Sequence, residues 1–175
     1  DIQQVDTVIE KWYLDGKYIP YPNEELHEVI KHAKRRIPKH KRISRIFRDI
    51  PIDNIIAGAN IPHLRQVLQK EMAEEGDYCK CIRCREIKDT EFSIKDVYYD
   101  VEEYTASFGT EYFISANVNN PENHNLPKLI GFCRLRIRPY NIVTTDYNEG
   151  VENTNFIDVL QDASLVREMH VYGRM

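Results

Sequence analysis

The sequence predicts an α+β fold, with helices first and an antiparallel meander after them. Three observations predict it. Apolar residues recur at three- and four-residue spacing up to Gly76, with cap and stop residues between the periodic stretches. After the cysteine-rich stretch 79–86 the period changes to two. The alternating stretches are joined by a short hairpin-type connection at "FGT", a polar loop "NNPENHNLPK" and a long polar loop with Asp146, Asn148, Glu149 and Gly150. With 42% apolar and 30% charged residues over 175 positions, the chain has the composition of a soluble globular protein of one domain, or one and part of another. No run of about 18 apolar residues predicts a membrane crossing. The start "DIQQVDTVIEKWY" has neither the basic opening nor the apolar core of a signal peptide. Three clustered cysteines out of four argue against a disulfide scaffold, so a reducing, cytoplasmic setting is expected.

Taken in order, residues 5–15 read as a helix stopped by Gly16. Pro20 and Pro22 force an extended turn, and Asn23 then caps a second helix with Glu24 and Glu25 in its first turn. Leu26, Val29, Ile30, Ala33 and Ile37 supply that helix's apolar stripe, and Pro38 closes it. "RISRIFRDIP" sets Ile43, Ile46 and Ile50 among Arg42, Arg45 and Arg48 and reads as a short strand or extended crossing. A third helix is capped by Asn60, with Pro62 in its first turn, a stripe of Leu64, Val67, Leu68 and Met72, and Gly76 past its end. "DVYYDVEEYTAS", "TEYFISANV", "LIGFCRLRIRP" and "SLVREMHVYGRM" follow as four strands. So little helix after the sheet leaves one of its faces uncovered.

"CKCIRCRE" brings three thiols, Cys79, Cys81 and Cys84, into six residues. Thiolates at C-x-C-x-x-C spacing can hold a soft metal from one turn of backbone, and zinc suits them best. A closed zinc site needs a fourth donor; His170, on a predicted central strand, is the favoured candidate, with Cys133 next and His63 and the other histidines behind. Free cysteines in a turn, a redox pair and an iron–sulfur cluster are the competing readings. The pair lacks its usual βαβ setting, and the spacing is uncommon for a cluster.

The net charge is -4, yet residues 31–48 hold nine Lys and Arg, two His and no acid. A basic island on an acidic chain is the local footprint that nucleic acids read, although such a run can also be a solvated helix face.

"RISRIFRDIP", "GANIPHLRQVLQKEM", "CKCIRCRE", "LIGFCRLRIR" and "LVREMHVYG", in this order, resemble the catalytic subunit of the Elongator complex. "WYLDGKYIPYPNEEL" is similar to the tail of that family's radical-SAM domain. The resemblance touches nearly the whole chain, apart from the loops at 118–128 and 140–163. It implies a tRNA acetyltransferase that uses acetyl-CoA and S-adenosylmethionine to begin carboxymethyl modification at carbon 5 of the wobble uridine. It also implies a 4Fe-4S cluster in the full-length protein, and other Elongator-type subunits as partners. On this basis residues 1–50 are expected to end the radical-SAM domain and form a basic linker. Residues 51–175 are expected to form the first half of a GNAT-like acetyltransferase domain, carrying a zinc segment at 79–84 with Cys79, Cys81 and Cys84 as ligands.

The departures are as specific as the matches. No C-x-x-x-C-x-x-C cluster motif occurs, so radical chemistry is not expected of this stretch alone. The CoA loop of a GNAT fold is expected just past "HVYG", where the sequence stops, which makes the chain a central fragment. Lys34, Arg35, Arg36, Lys39, Lys41, Arg42, Arg45 and Arg48 become the expected tRNA contacts at the anticodon region. Tyr18, Tyr21 and Phe47 could stack an unpaired base or pack a core. Arg48 could instead pair with an acid such as Asp49. In the last strand an Arg167–Glu168 ion pair is expected, and Glu168 and Tyr172 are weak catalytic candidates. The alternative function is a catalytically incomplete, zinc-stapled module that binds tRNA or docks into an assembly.

Overall fold

The computed structural model describes residues 2–3, 6–46, 54–58, 61, 63–106, 109–123, 126–137 and 163–173. It is a mixed structure of helices and antiparallel strands that divides into two compact units, Asp1–Cys84 and Arg85–Met175. The boundary expected at residue 50 falls inside the first unit.

In the first unit, α1 spans Val8–Leu14 rather than 5–15, because the Thr7 hydroxyl accepts from the Glu10 amide and starts the helix there. Gly16, at φ 70°, turns the chain out of it. α2 spans Asn23–Arg36, with Pro22 and not Asn23 at the cap; Glu24 and Glu25 open it and Lys34, Arg35 and Arg36 end it, each favourable to the helix dipole. β1 (Ile2–Gln3) pairs antiparallel with β2 (Ile55–Ala57), a pairing that the local pattern did not announce.

α3 spans Leu64–Glu74 and begins after His63, which sits in the left-handed region; Asn60 and Pro62, the expected cap and first turn, lie outside the described residues. Leu64, Leu68 and Met72 are buried as predicted, each stabilising the unit by roughly 1.5–3 kcal/mol. Residues 39 and 40 make a turn, closed by the Lys41 amide donating to the Pro38 carbonyl at 3.1 Å, and residues 41–46 cross without forming a strand. Arg65 Nη2 donates to the Ile43 carbonyl at 2.9 Å and fastens that crossing to α3.

The apolar stripe expected on α2 is corrected in part: Leu26, Ile30 and Ile37 are half-buried. Val29 is 60% exposed, Ala33 is exposed, and the buried residues of the helix are Lys31 and Lys34. The reason is the face that α3 presents. Its Glu71 and Glu75 attract cations, and a lysine can bury its methylene stem while its ammonium meets a carboxylate.

The second unit is a four-stranded sheet in the order β3 (Tyr98–Ala106), β4 (Gly109–Val118), β5 (Lys128–Ile137) and β6 (Leu165–Val171), every pair antiparallel. Alternation sends Glu111, Phe113, Ser115 and Asn117 of β4 to one face, all of them buried. The other face carries Tyr99, Val101, Met169 and Val171, all exposed among the described residues, which matches the uncovered face read from the sequence. The expected pairing of Arg167 with Glu168 is corrected as well. Register places Glu168 opposite Arg134, which donates to it at 2.7 Å, while Arg167 bonds to Glu111.

Candidate metal centre

The segment 79–84 folds back on α3, and its thiols converge. Cys81 is fully buried, Cys79 nearly so and Cys84 half-buried. Their three Sγ atoms lie within 4.8 Å of one another, and among the described residues this is the group able to hold a metal ion. Sulfurs about 2.3 Å from a tetrahedral zinc stand about 3.8 Å apart, so a small contraction suffices for the triplet to fit. Ile37, Ile43 and Met72 pack against it. The Ile82 amide donates to the Lys41 carbonyl at 2.9 Å, tying the cysteine turn to the crossing segment.

The thiols are electrically unequal. Hydrogen bonds from Cys79 and Cys84 hold Cys81 well below the usual thiol range. Cys79 is pushed well above it by its hydrogen bonds to Cys81 and Cys84 and by burial. Two further donors face Cys84 Sγ, namely Gln69 Nε2 at 3.2 Å and Lys34 Nζ at 3.8 Å.

His170 and Cys133 belong to the second unit. His170 Nε2 lies 3.2 Å from Glu168 Oε1, and its ring stacks with Phe132 and Tyr172 at centroid distances of 5.5 and 6.1 Å. Glu168, a candidate base, is thus shared between Arg134 and His170. Arg134 also lies over the Phe113 and Phe132 rings and donates to the Tyr104 hydroxyl at 3.0 Å.

Beside this cluster sits a residue that sequence reasoning missed. Glu111 has no exposed side-chain surface, and it accepts from Arg136 (3.0 Å), the Tyr104 hydroxyl (3.0 Å) and Arg167. Burial pushes its carboxyl up, but the bonds from Arg167, Tyr104 and Arg136 prevail and hold it below the ordinary range.

The basic island divides. Lys31 sits among Glu28 (2.6 Å), Glu75 (2.6 Å) and Glu71 (3.5 Å). Arg35 binds Glu75 at 2.5 Å and Asp77 at 2.6 Å. Lys34 is 1% exposed. Lys34 and Arg35 are therefore corrected as phosphate contacts: one is buried and the other is committed to two acids of its own unit. Arg36, Lys41, Arg42 and Arg45 are exposed and Lys39 is half-buried. Arg48 and Phe47 lie outside the described residues. Tyr21 is exposed and Tyr18 half-buried.

Residues 5–74 match the Radical_SAM C-terminal domain family. A tRNA uridine(34) acetyltransferase of Methanocaldococcus jannaschii is 35% identical over 96% of this chain, which spans 29% of that protein. Elongator complex protein 3 of Schizosaccharomyces pombe is 34% identical over 95% of the chain and 28% of its own length. A solved structure of archaeal Methanocaldococcus infernus Elp3 with an N-terminal deletion superposes with a TM-score of 0.71 at 32% identity, covering 96% of this chain and 37% of that one. Spanning under a third of the curated relatives it matches, the chain is similar to one stretch of Elongator complex protein 3 and of the archaeal tRNA uridine(34) acetyltransferases.

Proposed function

We propose that the chain is part of a tRNA uridine acetyltransferase that begins carboxymethyl modification at carbon 5 of the wobble uridine. The observation that carries this is the match along 95–96% of the chain to proteins named for acetyl transfer to tRNA uridine 34. Acetyl-CoA, S-adenosylmethionine and a 4Fe-4S cluster would act in the full-length protein. The sheet of the second unit would form the first half of a GNAT-like domain.

Within that protein this stretch contributes a metal staple and a tRNA-binding surface. Zinc, once bound, would be held by Cys79, Cys81 and Cys84 and would contribute folding energy directly. His170 stays the sequence-based candidate for the fourth donor. Arg36, Lys39, Lys41, Arg42 and Arg45 would neutralise phosphates near the anticodon. Cytoplasmic tRNA and other Elongator-type subunits would be the partners.

The test is tRNA binding by the Lys39→Ala/Lys41→Ala/Arg42→Ala protein at two salt concentrations. The reading expects weaker binding and a shallower salt dependence. Unchanged affinity and slope would remove the surface from the proposal. In the full-length protein, acetyl-CoA turnover that tRNA does not stimulate would count against the enzyme reading.

A further inference from the structure

Lys34 is the most deeply buried cation in the first unit, and among the described residues no carboxylate lies within ion-pair distance of it. Its neighbours on the same helix show the contrast. Lys31 and Arg35 each meet two or more acids, whereas the partner of Lys34 is Cys84 Sγ at 3.8 Å. A buried ammonium without a counter-charge costs several kcal/mol, so a fold that keeps one there has an anion for it. Gln69 Nε2, on the facing helix α3, donates to the same sulfur at 3.2 Å. Two donors from two helices therefore converge on the half-buried thiol of the triplet.

We propose that Lys34 and Gln69 are positioning residues for the metal centre, fixing the Cys84 sulfur in place and balancing the charge of the loaded site. This rests on the zinc reading above. Zinc with three thiolates and a neutral fourth donor carries one net negative charge, and one ammonium cancels it. Hydrogen bonds to a metal-bound sulfur also lower its nucleophilicity, so the pair would shield Cys84 from electrophiles.

The full 175-residue chain, loaded with zinc, is titrated with a competing chelator. Lys34→Met, which keeps the length of the side chain, is expected to weaken zinc retention about 10- to 100-fold, the range typical of groups that orient metal ligands. Gln69→Leu should act in the same direction by a smaller factor and buries no charge, so it carries the test if Lys34→Met does not fold. In zinc-loaded protein, alkylation of Cys84, read by mass spectrometry against Cys79, should speed up in both variants. Folded Lys34→Met and Gln69→Leu proteins that keep zinc within twofold, with Cys84 no more reactive, would overturn the inference and leave the zinc reading standing. A Cys81→Ser protein that retains its zinc would overturn the zinc reading, and this inference with it.

Discussion

The cations of α2 and those that follow Pro38 form one run in the sequence and two different things in the molecule. On α2, Lys31, Lys34 and Arg35 turn inward, where Glu71, Glu75, Asp77 and the thiol of Cys84 meet them. Beyond the proline, Lys41, Arg42 and Arg45 are exposed on the crossing segment. A count of charges treats the two halves alike. The helical period separates them, because His27, Lys31, Lys34 and Arg35 fall on one face at intervals of four, three and one. His27 Nδ1 completes that face by bonding Glu71 at 3.0 Å. Charge density alone is thus a poor guide to what a basic segment binds.

The comparison can be broken from the inside first. Lys31→Ala would leave Glu75 and Glu71 facing each other without their shared cation. It should lower the thermal midpoint by several degrees while leaving the salt dependence of tRNA binding unchanged; circular dichroism and a binding titration would check both. An unchanged midpoint would mean that the inner half is not structural.

Acid offers the next largest effect. Glu75 is held below the ordinary carboxylate range by its hydrogen bond from Lys31 and the charge of Arg35. Its folded value is depressed, so its contribution is present above the unfolded value of about 4.3 and is lost as pH falls through the folded value. Melting followed from pH 6 downwards should show the loss beginning below about pH 4.5, and Glu75→Gln should flatten that part of the curve.

The outer half is expected to show the opposite pattern. Lys39→Ala/Lys41→Ala/Arg42→Ala should lower the thermal midpoint less than Lys31→Ala does. The same change should reduce the salt slope of tRNA binding by about 2–3 if each side chain meets one phosphate. Arg36→Ala sharpens the boundary and is the smallest effect. Arg36 Nη1 lies 2.9 Å from His32 Nδ1 on an exposed turn, so its loss should cost at most one phosphate contact and little stability.

How much of this was legible beforehand follows from which forces are local. The helix-then-sheet order, the stripe of Leu64, Leu68 and Met72, the four strands and the convergence of the thiols all rest on periods or spacings within one segment, and the sequence prints those. The β1–β2 pairing joins residues more than fifty positions apart through two- and three-residue strands, too short to carry a pattern. The inward cations defeated the assumption that the buried face of a helix is its apolar one. A signal existed in the acids at 71 and 75, one turn apart on the next helix, but reading it required knowing that α2 and α3 pack. Glu111 stands at an alternating position of an ordinary strand, and nothing local marks it as the hub of three bonds.

That hub has a consequence for how the sheet finds its register. Side chains alternate faces along a strand, so a slip of β5 by one residue against β4 would carry Arg136 to the far side. Glu111 would then face its own burial without that cation, a penalty large enough to disfavour the slipped pairing. Arg167 imposes the same condition from β6, two strands away. One carboxylate therefore works as a key cut for two locks, and a chain threading β4, β5 and β6 together is checked for alignment at the moment the sheet closes.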